Sequence, residues 1–366
     1  MAFGLNLYPF TYIARYNTET NLWDEQWLQA DSITHEQLMA LSEAERQTVL
    51  DKRNQMGLPA VSYTSQYAYG CFEGMKGFPT KDGGVAIFRP DQNAHRFANS
   101  MKGLYCPPFP EDQFVKASVE FVRRNAELGY VPQYNPEWEK EDYANAESIY
   151  IRPFMSSEGA IGVGCAKSPV VVICATTVSA YFKPGLDGAV ITDRIRATPH
   201  GTGYIKCASN YVISALAKKE AEDAGYVECV YLDAVEHKYF QEGSSCNIFF
   251  VLNNGTIVTP ELGDTILPGI TRKSVLALAQ EAGYRTQERK ISVMEVQESA
   301  LECFVTGTAA GISTMSSLTD LSGKKVMFLG SEGPVAKNLQ HILKGRQYGL
   351  LEDPNKWNTV VIPGTR

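Results

Sequence analysis

The chain has no Cys-x-x-Cys pair, no run of basic residues and no apolar stretch long enough to cross a bilayer. Each absence excludes something. The eight cysteines, Cys71, Cys106, Cys165, Cys174, Cys207, Cys229, Cys246 and Cys303, are dispersed, so neither a zinc site nor a redox dithiol is expected. Several sit in apolar runs and read as small core residues. The longest apolar runs, such as residues 169–175, fall far short of a spanning helix. The N-terminus lacks a basic segment followed by an apolar one, so no signal peptide is expected and a reducing cytoplasm is the default. The five histidines show no metal-ligand spacing; His35 and His341 read as surface groups. Net charge is −7 with scattered basic residues, which argues against a nucleic acid or an anionic membrane as partner.

What is present is a globular composition. Hydrophobic residues make up 44% and charged residues 20% of 366, enough for a sizeable core and two ordinary domains. The first 60 residues read as polar with helical patches. Ser32-Ile-Thr34 caps a helix near His35, and Ser42-Glu-Ala-Glu45 forms a capping box. β-type sequence begins around Val61-Ser-Tyr-Thr64. Lys81-Asp-Gly-Gly84 marks a hairpin before a strand at 85–88. Helices follow over 92–102 and 111–128, and 134–146 reads as an exposed loop. Strands return at 148–152 and 169–178. Proline and glycine then interrupt residues 182–188. The expected division is a small N-terminal domain at 1–180, a linker at 181–190 and a large domain at 191–366. In the second half, strands at 229–232, 247–252 and 302–306 alternate with helices at 212–221, 271–282 and 333–344. The fold class is α+β with mixed sheets.

One lysine stands apart. Lys206 lies in Gly201-Thr-Gly-Tyr-Ile-Lys-Cys-Ala-Ser-Asn-Tyr211, with no acid beside it in sequence. Burial between Ile205 and Cys207 disfavours the charged form and frees the amine to make a Schiff base with an aldehyde, including that of pyridoxal phosphate. The alternative is an amphipathic lysine reaching from a strand end to water. A phosphorylated ligand needs an anion site, and two stretches offer amides. In Leu267-Pro-Gly-Ile-Thr-Arg272, Gly269 permits close approach while Ile270 and Thr271 open a helix. Gly307-Thr308-Ala309-Ala310 is a small-residue turn after a strand. Either is also an ordinary connection. Arg96 offers bidentate contact to phosphate, or is a surface arginine on a helix. Glu242, between a strand and a Gly-Ser turn, suits a buried acid opposite a pyridine nitrogen, or is a plain turn glutamate. Tyr211 bonds a phenolate oxygen or packs in a core.

These strings occur in one order: Phe72-Glu-Gly74, Phe88-Arg-Pro90 with Asn93 and Arg96, Tyr150-Ile-Arg-Pro153, Lys206 with Asn210-Tyr211, Glu242-Gly243 with Asn247, Leu267 to Arg272, and Gly307-Thr-Ala309. Over roughly residues 60–350 the chain resembles the branched-chain amino-acid aminotransferases of the fold-type-IV pyridoxal-phosphate class. Gln347-Tyr-Gly349 and Trp357 extend the likeness. The resemblance implies two domains with pyridoxal 5'-phosphate at their interface, a homodimer, and transamination of L-leucine, L-isoleucine and L-valine with 2-oxoglutarate. It makes Lys206 the Schiff-base lysine and proton carrier. Glu242 is assigned to the ring nitrogen and Tyr211 to the phenolate oxygen. Arg96, Ile270, Thr271 and Thr308 are assigned to the phosphate, with Ser245 and Gly269 also on the cofactor. Tyr67, Phe72, Gly74, Tyr150, Ala309 and Ala310 line the substrate pocket, and Arg152 meets the carboxylate of glutamate.

Two departures stand out. Ala208-Ser209 replaces the family's Gly-Gly before the Asn-Tyr pair. Ala310 and Ser313 stand where some relatives carry a redox Cys-x-x-Cys, so no thiol switch is expected there. The rival readings are a D-amino-acid transaminase or a 4-amino-4-deoxychorismate lyase, whose chains are usually shorter, and a catalytically dead binding or scaffold protein. Lys206, Glu242 and Arg96 together speak against the last.

Overall fold

Residues 148–156 and 170–178 are β-prone runs, rich in Ile, Val, Tyr and Phe. In the computed structural model they form the strands Ser148–Ser156 and Val170–Val178, paired antiparallel from end to end. The structure describes residues 5–140, 143, 145–179 and 188–364. These divide into two units. The first holds the described residues up to 179 together with 206–209 and 346–364; the second holds 188–205 and 210–345. The expected linker at 181–190 lies outside the described residues, except for 188–190, which begin the strand Gly188–Ile191.

The first unit is an eight-stranded sheet. Its order runs Asn358–Ile362, Val85–Phe88, Met75–Pro79, Ser148–Ser156, Val170–Val178, Phe10–Asn17 and Leu22–Gln29; Cys71–Phe72 also pairs with Ser148–Ser156. The helices Pro90–Gly103 and Glu111–Ala126 supply Phe97, Met101, Phe114 and Phe121 to its core, all fully buried. The second unit is a ten-stranded mixed sheet. Gly188–Ile191 lies parallel to both its neighbours, Glu228–Leu232 and Ser317–Thr319. Asn247–Leu252 takes Phe240–Gly243, Ile257–Thr259 and Ala300–Gly307, all antiparallel. The helices Asn210–Asp223 and Ile270–Glu281 belong to this unit.

Local capping chemistry worked as expected. Thr34 caps His35–Ala40, and Ser42 with Glu45 closes a capping box on Glu43–Arg53. The turn at 81–84 joins two antiparallel strands, and Gly255 and Gly283 take left-handed backbone where a turn and a helix end require it.

Three expectations fail. The N-terminal region is a β-hairpin, Phe10–Asn17 with Leu22–Gln29, before it is helical. Trp23 and Trp27 are four apart, a spacing that suits one face of a helix and equally one face of a strand; both pack on the core of the first unit. Residues 63–67 are a short helix, because Ser62 and Ser65 cap each other's turn. Among the described residues of 134–146 most are exposed, but the stretch is anchored and not wholly a surface loop: Trp138 and Tyr143 are buried, and Tyr143 stacks on Tyr348 at 5.4 Å.

The start of the chain is fastened by Arg53. This buried guanidinium donates to both oxygens of Asp31 at 2.8 Å, to Leu7 O at 2.8 Å and to Tyr130 Oη at 2.7 Å. Arg53→Ala leaves a carboxylate and a carbonyl facing the hole, so its expected cost is about 2–4 kcal/mol. A urea titration of Arg53→Ala against the parent protein checks it; an unchanged midpoint refutes the assignment.

Candidate active site

The first unit brings together Phe72, Glu73, Gly74, Arg96, Tyr150, Arg152 and Lys206. The cause is a short antiparallel pairing of residues 70–72 with 206–208. Phe72 N donates to Lys206 O at 3.1 Å, Ala208 N donates to Gly70 O at 2.8 Å, and Cys71 faces Cys207. Ser100 Oγ, fully buried on the helix Pro90–Gly103, accepts from Lys206 N at 3.0 Å. The lysine backbone is therefore tied on both sides.

Its amine lies 4.9 Å from the centre of the Phe72 ring. The residue as a whole is half-buried, yet the amine is enclosed: desolvation, with Arg96 second, pulls its pKa from 10.5 down to about 8. Arg152 shares the same ring, with its guanidinium carbon 4.7 Å from the Phe72 centre and 5.2 Å from that of Tyr150. Arg152 Nη2 donates to Tyr150 Oη at 3.0 Å. Gly74 is required here by space: a Cβ would overlap Tyr150 Oη. Tyr67, at the end of the short helix Tyr63–Tyr67, is exposed.

Arg96 does not stand alone as its sequence position implied. Its guanidinium forks onto Glu73, Nε to Oε1 at 2.7 Å and Nη2 to Oε2 at 2.8 Å. Glu73 is fully buried, and nothing in the Phe72-Glu-Gly74 string signals this pairing.

The second unit carries the other set. Glu242 is buried as expected of an acid with a task, and it is not a turn glutamate exposed to water. Arg196, also enclosed, pairs with Glu242 Oε1 at 2.7 Å, and Asn247 Nδ2 donates to Glu242 Oε2 at 3.0 Å. Asn247 also donates to Leu267 O at 3.0 Å. This joins the acid to the loop that ends at Gly269. A Cβ on Gly269 would overlap Asn247 Oδ1, so glycine is needed there for space and not for φ, which is −65°.

The helix Ile270–Glu281 starts directly after Gly269 with no side-chain cap and no acid in its first turn. The amides of Ile270 and Thr271 belong to that first turn, where no intrahelical acceptor exists. Arg272 turns away, donating to Pro260 O at 2.8 Å and to Glu288 at 2.7 Å. Thr308, Ala309 and Ala310 form the half-buried turn between Ala300–Gly307 and Gly311–Met315, and Ser313 Oγ donates to Ala310 O at 3.2 Å. Ser245 is exposed in the hairpin turn after Glu242. The buried Glu228 accepts from Ser244 N at 3.1 Å and so holds that turn. Tyr211 is half-buried on the first turn of Asn210–Asp223. Asn210 fastens that turn to the loop before it, donating to Thr202 O at 2.8 Å and Ile205 O at 3.1 Å.

Ala208 and Ser209 adopt no left-handed backbone, so no unusual φ calls for glycine at either position. No sequence signal marked Arg196 or Glu228. Both are revealed only by the side chains that surround them.

A family model described as amino-transferase class IV matches residues 70–318. The chain belongs to the class IV aminotransferases. It is 38% identical over 306 residues to a probable branched-chain-amino-acid aminotransferase of Staphylococcus aureus (strain MRSA252), covering 81% of each chain. Among solved structures it is similar to the branched-chain aminotransferase of Thermoproteus uzoniensis with norvaline, at TM-score 0.70 and 26% identity over 84% of this chain and 95% of that one. It is likewise similar to the T.th. branched-chain amino acid aminotransferase complexed with N-(5'-phosphopyridoxyl)-L-glutamate, at TM-score 0.68 and 30% identity over the same shares.

The residues of this aminotransferase fit pyridoxal 5'-phosphate, the cofactor of its family. The first unit offers a desolvated amine that suits an aldehyde; the second offers a buried carboxylate that suits a ring nitrogen and a helix start without a side-chain cap that suits a phosphate.

Because the amine titrates near 8 and not 10.5, its neutral, nucleophilic form grows in as pH rises through that value. Borohydride trapping of pyridoxal on Lys206, located by peptide mass, is expected to reach half its plateau near pH 8. A midpoint near that of free lysine refutes the desolvated amine. Gly269→Ala pushes Asn247 off Glu242 and is expected to weaken cofactor affinity about tenfold or more, the loss of one charge-assisted contact. Cofactor titration by fluorescence quenching measures it.

Proposed function

We propose that the enzyme moves the amino group of L-leucine, L-isoleucine and L-valine to 2-oxoglutarate, giving the branched-chain 2-oxo acids and L-glutamate. The supporting observation is the Phe72 ring with Lys206 and Arg152 both against it. A wall of Phe72 and Tyr150 offers apolar surface to a branched side chain. Arg152, stacked on both rings, offers a guanidinium to the second carboxylate of glutamate. One pocket thereby serves both amino donors. The relatives' names agree with this choice of substrates.

Bound pyridoxal 5'-phosphate supplies an electron sink that accepts the charge left on the substrate's Cα. The rest is the work of side chains. Lys206 Nζ is the covalent anchor and the base that moves the Cα proton, a role its lowered pKa permits near neutrality. Glu242, paired with Arg196 and oriented by Asn247, is assigned to hold the proton on the ring nitrogen. Tyr211 meets the phenolate oxygen. Arg96, the amides of Ile270 and Thr271, and Thr308 are assigned to the phosphate, and Gly269 and Ser245 to the cofactor. Gly74, Tyr67, Ala309 and Ala310 complete the substrate surface.

The same reading includes a homodimer in the cytoplasm. Free thiols throughout the described residues suit a reducing compartment. Ile161 and Val163 are 85% and 91% exposed on a loop pinned by Gln66 Nε2 to Ala160 O at 2.7 Å, apolar surface for a second copy to cover. No helix among the described residues is long and apolar enough to cross a membrane.

A half-reaction assay with L-leucine, L-phenylalanine and D-alanine, followed by absorbance, is expected to show turnover of L-leucine and none of D-alanine. The opposite result would replace this reading with that of a D-amino-acid transaminase. Lys206→Ala is expected to lose at least about 1,000-fold in rate, since it removes the nucleophile and the base together. Activity retained within tenfold would assign the lysine wrongly.

A further inference from the structure

Glu73 is the fully buried carboxylate of the Lys206 cluster, and it lies outside the residues that meet the cofactor or substrate. Four donors converge on it. Arg96 contributes Nε and Nη2, Asn93 Nδ2 reaches Oε2 at 2.7 Å, and Gly74 N reaches Oε2 at 3.2 Å. Its own backbone N donates to Pro153 O at 2.7 Å, which places it at the strand end between Phe72 and Gly74. A buried ion pair of this kind is a poor device for stability, because apolar residues of equal volume do as well. It is a good device for direction. A carboxylate that grips Nε and one terminal nitrogen fixes the plane of a guanidinium, which no apolar neighbour does. It also offsets the positive charge that Arg96 brings close to the Lys206 amine, since the two act on that amine in opposite senses.

We propose that Glu73 is a positioning residue for the phosphate anchor: through its fork with Arg96 it aims the guanidinium and moderates the guanidinium's charge at Lys206. The inference rests on the assignment of Arg96 to the cofactor phosphate, and it makes Glu73 decisive for a ligand it does not itself touch.

Two aldehydes separate the roles. Pyridoxal 5'-phosphate needs the anion site, whereas pyridoxal, which lacks the phosphate, needs only the amine. For apoprotein carrying Glu73→Gln, affinity for pyridoxal 5'-phosphate is expected to fall about tenfold or more, the loss of one charge-assisted fork, with pyridoxal affinity within about twofold of the parent. The second readout is the pH midpoint of borohydride trapping with pyridoxal. Removing the anion leaves Arg96 unopposed, so the midpoint is expected to move below that of the parent protein. A purely structural role moves neither the ratio of the two affinities nor this midpoint in that direction.

Arg96→Lys is the second variant, folded independently of the first. It keeps the charge but loses the fork, and is expected to show the same selective loss of the phosphorylated aldehyde. Equal losses for both aldehydes, or no loss for either, overturn the proposal. If the parent protein binds neither aldehyde, the cofactor reading falls as well. If it binds both and Glu73→Gln leaves their ratio unchanged, only the role of Glu73 falls.

Discussion

The amine of Lys206 gives up its proton near pH 8 and not 10.5 because its surroundings withhold water from it, and a backbone pairing only three residues long keeps it there. Residues 206–208 run antiparallel to 70–72, and Ser100 takes the lysine's own amide. These contacts make 206–209 part of the first unit, although the residues on either side in sequence belong to the second. Desolvation then sets the pKa, and nearby charges adjust it. A lysine on a longer, looser tether would let its ammonium reach solvent, as lysines ordinarily do.

Two further site residues, Arg96 and Glu242, are held by charge pairs. Arg96 is forked by Glu73, and Glu242 is clasped by Arg196 and Asn247. Removing one partner of such a buried pair leaves the other charge uncompensated, which costs more than the pair itself contributes. Each functional group is thus fixed by a partner that the reaction itself does not consume. The glycines follow the same logic. Gly74 yields space to Tyr150 and Gly269 to Asn247, so both are demanded by a neighbour's side chain and neither by an unusual φ.

Much of the chemistry was legible in the sequence because it depends on local strings. Glu242 is buried and a helix starts at Ile270, as their local strings implied, and the caps at Thr34 and Ser42 formed as their spacing required. The N-terminal hairpin was not legible, since a tryptophan spacing of four satisfies both helix and strand periods. Nor was the burial of Trp138 and Tyr143, which depends on Tyr348, some two hundred residues later.

By itself the sequence determined which residue types meet which chemical demand: an amine in an apolar string, an acid before a Gly-Ser turn, amides ahead of a helix, all in the order of one enzyme family. Only the tertiary structure decided which partner each acquires. Nothing near Arg96 in sequence names Glu73, and nothing near Glu242 names Arg196, because those pairings close over 23 and 46 residues. Burial turns such a pairing from an option into a necessity, and burial is a property of the folded chain.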